Sequence, residues 1–504
     1  MRILVWHGWL LEGAGSNVYT ARLVETWRRE GHDVLLLCQE PHPEAYPFID
    51  AWGVAGDTGS IRPLPAEPAP GRAVLLRPPI GDLLPVFVYD EYEGFRVKTF
   101  VDLSDEELRA YLDANVAALR DAAAWHRSAL VVSGHVVPGP VIARRAIGSV
   151  PYIAKTHGSD IEYALRVQPR YVDLAREGLE GAVAVAGASR DVLERLVELV
   201  PSVAGRTRVV TPGVEGRTFR PMPRGEALLR TADLLDDEPA LRRGRTADIG
   251  ARVADAVRDR DAAALDRLAG RYDQAAPDAD APDRLRALST YEGPLVGYVG
   301  KLIPQKGVHH LIATLGMLEP RPHALIVGFG TFREWLEALV VALDAGDEEG
   351  VRFIHDRSAM GPANEPATAA GIARHVTFTG RLDHRYASIV SALDVLVVPS
   401  VLEEAFGMVA LEGAAAGALP LVARHSGLAE IAHALEAEIE APGLLSYEPG
   451  PEAATNLARG LERLLAVPSE ERGAMGRKLS DRVTERWSWQ RTADDLLDAA
   501  GALD

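Results

Sequence analysis

Short apolar runs alternate along this chain with longer stretches whose apolar positions recur at helical spacing, and the runs fall into two sets. The first set predicts strands at residues 3–6, 34–38, 130–133, 152–155, 182–185 and 208–210. The second predicts strands at 295–299, 324–327, 376–379, 395–398 and 419–422. A run such as Val395, Leu396, Val397 and Val398 is apolar at every position, as parallel strands covered on both faces are. Strands of this kind separated by helices predict an α/β fold of two doubly wound Rossmann-like domains facing across a cleft. Ligands are then expected beyond the carboxyl ends of the strands.

The same pattern sets the expected boundaries. Residues 1–221 form the first domain, 291–480 the second, and 481–504 a carboxy-terminal helix introduced by Trp487 and Trp489. Residues 222–290 are dense in Arg, Asp and Ala and poor in large apolar side chains, which predicts a helical insertion between the two domains. Residues 345–370 contain Gly, Pro, Asn and Asp and read as a long loop. Residues 85–98 read as a hairpin that would bring Tyr92 and Glu93 to the border of an acceptor site.

Composition narrows the chemistry. A chain of 504 residues, 47% of them hydrophobic, is long enough for two cores. A formal charge of −18 argues against general affinity for nucleic acid or anionic membranes, so any phosphate site must be locally basic. The one cysteine, Cys38, ends an apolar run and is expected in the core. No apolar run approaches the roughly 18 residues of a membrane span, and residue 3 already begins a strand. The expectation is a cytoplasmic protein with neither leader nor integral membrane segment. Charge does not decide oligomeric state, and a homo-oligomer stays open.

The most specific chemistry lies between Pro399 and Glu412. A buried strand stops at Pro399 and Ser400, and a helical pattern begins at Gly407. Backbone N–H groups at Gly407, Met408 and Val409, with the positive end of the helix dipole, suit a phosphate. Glu404 precedes that helix and Glu412 lies more than a turn inside it. Eight helical steps would span roughly 12 Å. Glycosidase carboxyls sit about 5 to 9.5 Å apart around one bond, so this spacing favours the two ends of an elongated ligand. A nucleotide sugar has hydroxyls at each end and a diphosphate between.

A second element fits the same ligand. After the strand at 295–299 come Gly300, Lys301, Leu302, Ile303, Pro304, Gln305, Lys306 and Gly307. Gly300 lets the backbone approach a ligand closely, and Lys301 and Lys306 can meet at one diphosphate leaving group. The nucleoside triphosphatase loop is excluded, because its glycine spacing and Gly-Lys-Ser/Thr ending are missing. Either lysine alone would be read as a solvated side chain; two motifs together point to a site. In the first half, His157 follows a predicted strand and enters the crevice, and Asp160 either caps the next helix or binds a ligand. The run Gly13 to Val18 differs from the dinucleotide fingerprint, since valine holds the third glycine position. Asp278, Ala279 and Asp280 imitate an Asp-x-Asp metal motif, but no apolar strand precedes them, so a solvated turn is expected and no metal site.

These motifs resemble those of family 4 retaining glycosyltransferases of the two-Rossmann-domain (GT-B) architecture, which carry a Glu, seven residues, Glu signature and a Gly-Arg/Lys-Leu-x-Pro-x-Lys-Gly loop. Other pieces of the resemblance stand in family order: Gly13 to Gly15, Thr156 to Asp160, Pro212 to Glu215 before Phe219 to Pro221, and Phe378 to Leu382. The resemblance implies transfer of a hexosyl group, with retention, from a UDP-, GDP- or ADP-linked sugar to a sugar, small-molecule or lipid-linked acceptor, with no cofactor and no metal. It implies that Glu404 contacts sugar hydroxyls, Glu412 the ribose, Arg381 and Leu382 the nucleobase, and Gly15 the donor phosphates or the acceptor. Lys301, Lys306 and His157 would complete the catalytic set. It also implies that the carboxy-terminal helix returns to the first domain. Lysine at 301, where arginine is commoner, keeps the charge and loses a bidentate fork. Two other classes compete. A non-catalytic nucleotide-sugar-binding regulator would need neither Glu404 nor His157, and a sugar-nucleotide epimerase of similar architecture would not be expected to keep the glutamate pair.

Overall fold

The computed structural model describes residues 1–11, 13–89, 92–272, 276–361 and 368–501. The chain separates into two compact units, Met1–Gly213 with Trp487–Asp504, and Val214–Arg486.

The first unit is built on a nine-stranded sheet. Its order is Thr207–Val209, Ala184–Gly187, Tyr152–Lys155, Leu130–Gly134, Arg2–Trp6, Asp33–Leu37, Arg72–Arg77, Ala51–Val54 and Asp57–Pro63. Asp57–Pro63 alone runs antiparallel to its neighbour. Ile3, Leu4 and Trp6 are fully buried, as a central strand covered on both faces requires. The strand order reverses at Arg2–Trp6, which pairs with Asp33–Leu37 on one side and Leu130–Gly134 on the other. The chain leaving that strand enters the helix Gly15–Arg29. The helix Trp489–Ala499 belongs to this unit, with the Trp489 ring 5.5 Å from that of Tyr19 and Thr492 Oγ1 donating to the Thr211 carbonyl at 2.9 Å.

The second unit holds a six-stranded, wholly parallel sheet in the order Val376–Phe378, His323–Val327, Leu295–Val299, Val395–Val398, Leu419–Ala423 and Ser446–Tyr447. Numbered by sequence this is 3-2-1-4-5-6, the doubly wound order. The reversal falls between Leu295–Val299 and Val395–Val398, and the two motif loops leave the carboxyl ends of these two strands. Ligands of such sheets bind at that switch point. The fold class read from the apolar runs is therefore present in each unit.

Several details differ from expectation. The unit boundary lies after Gly213 and not at 221, and the carboxy-terminal segment joins the first unit from Trp487. Residues 222–290 are helical, with helices Arg224–Asp236, Asp248–Arg258, Ala262–Tyr272 and Ala281–Leu288, but they pack into the second unit and do not stand between domains. Leu228, Ile249, Val253, Leu265 and Leu285 are buried and supply enough apolar surface to do so. The expected loop at 345–370 contains a helix, Glu348–Arg357, started by Asp347, whose carboxylate accepts from Gly350 N at 2.8 Å. Its residues 362–367 lie outside the described ones. Among the described residues the expected hairpin gives way to a parallel pair: Leu83–Val86 and Arg96–Thr99 run side by side, with Arg96 N donating to Asp82 O at 2.8 Å, and residues 90 and 91 lie outside the described ones. Burial of all four residues of Leu83–Val86 fixes that strand, and Trp9 Nε1 holds it through the Pro85 carbonyl at 2.7 Å.

Candidate functional site

At the switch point of the second unit, the two motif loops are joined by their backbones. Val401 N and Leu402 N both donate to Gln305 O, at 2.8 and 3.2 Å. Gly307 sits at φ +68°, and a Cβ there would lie 1.9 Å from the Pro399 carbonyl oxygen, so only glycine lets the loops close to this distance. Gly307 also begins the helix Val308–Leu315, and Gly407 begins Met408–Ala415. The first N–H groups of a helix have no partner within it. Gly407, Met408 and Val409, half-buried, present such groups beside Glu404.

Lys306 and Glu404 form an ion pair between Nζ and Oε1, and the same oxygen accepts from Ser400 Oγ at 2.7 Å. His425 Nε2 donates to the Ser400 carbonyl at 2.7 Å, and Gly427 N donates to the Glu404 carbonyl at 3.0 Å. Burial pushes the Glu404 carboxyl up, but the Lys306 charge and the two donors outweigh it and leave the group below its ordinary range. Glu404 is thus a fixed carboxylate at neutral pH, suited to accepting hydrogen bonds.

Lys301 takes a different neighbour. Its Nζ lies 5.8 Å from the centroid of Phe329, and the Arg381 guanidinium lies 5.7 Å from the same ring. Lys301 and Arg381 therefore share one aromatic platform while Lys306 serves Glu404. Leu382, half-buried, follows on the same loop, and Gly300 continues the strand with its N–H on the Val327 carbonyl at 3.0 Å. Glu412, within the helix Met408–Ala415, lies 3.8 Å from His384 Nε2.

In the first unit the site residues also gather where the strand order reverses. His7 leaves Arg2–Trp6, and His135 follows Leu130–Gly134. His157 follows the next strand, Tyr152–Lys155, and its ring lies 4.6 Å from His135 and 5.3 Å from Tyr19. His7 Nε2 is 2.9 Å from Asn17 Oδ1, and its Nδ1 is 3.1 Å from Thr20 Oγ1, both on the helix headed by Gly15. Burial lowers His7 and His135 to about 3 and His157 well below its ordinary value, so the cluster is uncharged. Lys155, 2% exposed, is brought down to about 7 by burial; it donates to the Val210 carbonyl at 3.2 Å and lies over Tyr19. His7, His135 and Lys155 are absent from the residue pattern read above. The rule that pointed to His157, a histidine just past a strand, applies equally to His7 and His135.

Three further groups of residues have defined surroundings. Asp160 is fully buried; Oδ2 accepts from Val136 N at 2.7 Å, and Oδ1 from Thr156 Oγ1 at 3.0 Å and Ile161 N at 3.2 Å. It caps the turn that follows, the first of the two roles read for it, and shapes the His157 loop by accepting from His157 N at 3.3 Å. Glu93 is exposed, 3.8 Å from His42 Nε2, and the Tyr92 carbonyl accepts from Phe95 N at 3.1 Å. Asp278 is not in a solvated turn: it is buried and paired with Arg333 at 3.1 Å and Arg284 at 3.3 Å. Among the described residues no group of three or more His, Cys, Asp or Glu could hold a metal ion, and no helix is long and apolar enough to cross a membrane.

Comparison with known proteins covers both units. Residues 14–213 match the model described as glycosyl transferase 4-like domain, and residues 361–480 the model described as glycosyl transferases group 1. An uncharacterized glycosyltransferase of Methanocaldococcus jannaschii is 28% identical over 206 residues, covering 40% of this chain and 43% of that protein. The chain thus matches less than half the length of this relative. Among solved structures, sucrose-phosphate synthase from Thermosynechococcus elongatus superposes with a TM-score of 0.61 at 18% identity, covering 100% of this chain and 98% of the other. HepE of Anabaena, in complex with UDP and glucose, gives 0.58 at 14% identity with 100% of both chains covered. Both units therefore carry glycosyltransferase sequence signatures of the family-4-like kind, on the fold of these proteins.

Proposed function

We propose, from the premise of a family-4-like glycosyltransferase, that this protein transfers a hexosyl group from a nucleotide-diphosphate sugar to an acceptor with retention and without a metal. The observation that carries the reading is the cluster of Lys306, Glu404 and Ser400 at the switch point of the second unit, beside the helix that Gly407 begins. A cation, a fixed carboxylate and unpaired helix N–H groups at one place match the parts of such a donor: diphosphate to the N–H groups and lysines, sugar hydroxyls to Glu404.

The chemistry follows from these charges. As the bond between the anomeric carbon and the diphosphate oxygen breaks, negative charge grows on the leaving group, and Lys306, Lys301 and the N–H groups stabilise it. The acceptor oxygen forms its bond on the same face, and its proton passes to the departing diphosphate. Glu404, already held by Lys306 and Ser400, binds hydroxyls and is not the proton carrier. Glu412 takes the ribose and the loop of Arg381 and Leu382 the nucleobase. His157, uncharged, contacts the sugar.

Binding tests this first. Thermal melting and isothermal titration with UDP, GDP, ADP and inorganic pyrophosphate, with and without EDTA, should show one nucleoside diphosphate series stabilising the protein irrespective of EDTA. No response to any of them would sink the donor-site reading, and a response abolished by EDTA would remove metal independence.

A further inference from the structure

The helical insertion does more than extend the second unit. Beyond the helix Ala262–Tyr272 the chain returns at Ala276 and lies against the loop that follows Val376–Phe378, the edge strand of the sheet. Asp278 N donates to Thr379 O at 2.8 Å, Arg381 N donates to Ala276 O at 3.0 Å, and Pro277 and Gly380 form an antiparallel bridge. Gly380, at φ +73°, has no room for a side chain, because a Cβ would lie 2.6 Å from both Ala276 O and Asp278 N. On its other side the same loop is held by Gly328 N, donating to Gly380 O at 2.9 Å. The backbone on both sides of Gly380 is thus bonded to the insertion.

A buried ion network locks this segment in place. Asp278 pairs with Arg333 at 3.1 Å and Arg284 at 3.3 Å, and Arg284 also donates to Phe378 O at 3.0 Å. Arg245, between the first two helices of the insertion, pairs with Glu334 at 3.0 Å and with Glu337, and Arg333 pairs with Glu337 at 3.1 Å. Arg284 pairs with Asp280 as well, at 2.8 Å, so three cations meet four carboxylates, and mutual pairing offsets the cost of holding charges at this depth. The Arg333 guanidinium lies 3.6 Å from the Phe378 ring centroid, so the network also grips the edge strand. Arg245, Asp278, Gly380 and Phe329 line one pocket, which places the insertion against the platform that Lys301 and Arg381 share.

We infer that the insertion sets nucleobase selectivity: Asp278, Arg333 and the segment from Ala276 to Asp278 are positioning residues that hold the Thr379 to Leu382 loop, and hence Arg381 over Phe329, in the geometry that reads the base. This rests on the donor-site reading above. A segment that only filled space would need neither the two backbone hydrogen bonds that form this bridge nor a buried ion network behind them. The diphosphate contacts of Lys306 and Gly407 come from other loops and only Lys301 shares the Phe329 platform, so loosening the insertion should affect base discrimination far more than phosphate binding.

The test is the double variant D278A/R333M, which removes one buried charge of each sign and leaves Arg245 paired with Glu334 and Glu337 and Arg284 paired with Asp280. Asp278→Asn, isosteric, reads the same ratio if the double variant fails to fold. Affinities for UDP, GDP, ADP and inorganic pyrophosphate are measured by titration. The ratio of the preferred to the next nucleoside diphosphate should fall by about tenfold, the loss appearing in donor KM and not kcat. Pyrophosphate affinity should stay within about twofold. An unchanged ratio in a folded variant, or a wild type that binds nucleotides without discriminating among them, overturns the inference and leaves the donor site standing. A wild type that binds no nucleoside diphosphate removes the donor-site reading itself.

Discussion

Lys306→Met separates a catalytic lysine from a structural one. The substitution keeps the aliphatic stem and removes only the ammonium that pairs with Glu404. With side chains 28% and 20% exposed, the pair is partly screened, and pairs of this kind contribute about 0 to 1 kcal/mol. Leaving Glu404 with only Ser400 adds a desolvation cost of about 1 kcal/mol. A total of about 1 to 2 kcal/mol lowers the melting temperature of a unit this size by roughly 2 to 8 °C. The transition state loses more, because a positioned charge or donor facing developing anionic charge contributes about 10² to 10³ in rate, or about 2.7 to 4 kcal/mol. The assay follows nucleoside diphosphate release well below both melting temperatures, with Lys306→Arg as the charge-keeping control. The account requires a large drop in kcat for Met, partial recovery for Arg and a small change in melting temperature. A melting temperature lowered by more than about 10 °C, with near-normal kcat in the folded fraction, would show that Lys306 is a structural cation.

Other residues give independent outcomes. Glu412→Ala should raise donor KM about tenfold with kcat little changed, as loss of a ribose contact would; a fall in kcat alone contradicts that role. His157→Ala should lower kcat by about 10² or more while the protein keeps its melting temperature within a few degrees. Lys155 has a folded pKa of about 7, below its unfolded value of 10.5, so between these values the unfolded chain binds the extra proton and wild-type stability rises with pH. The expected result is that Lys155→Met gains stability over wild type at pH 7 and that this gain shrinks toward pH 10; a gap independent of pH contradicts a buried neutral lysine.

Most of the parallel strands were legible because four or five consecutive apolar residues, such as Leu295 to Val299, suit a strand covered on both faces; Ala51–Val54, Ser446–Tyr447 and Arg72–Arg77 were not read, the last although Ala73 to Leu76 are all apolar. Asp57–Pro63 was not, since an exposed edge strand carries polar residues and no apolar run. The helix Glu348–Arg357 was hidden by the Gly and Pro around it, although Asp347 before two glutamates is an N-cap signal. For the candidate site, Glu404 and Lys306 were readable as separate motifs, but their pairing depends on strand order, which brings residues 98 positions apart together. The histidine cluster is a similar case: His7, His135 and His157 meet only because three adjacent strands end at one edge of the sheet. The role of Asp278 was unreadable, because its partner Arg333 lies 55 positions away on another element, and Arg284, six residues along, reads equally as the partner of a solvated aspartate.

The most direct test of the central claim is proton NMR of a nucleotide hexose incubated with the protein and candidate acceptors, reading the configuration of the first product formed. The account predicts nucleoside diphosphate release coupled to a product with the anomeric configuration of the donor, lost in Lys306→Met and Glu404→Gln. An inverted product, an epimerised nucleotide sugar, or binding without turnover would contradict it.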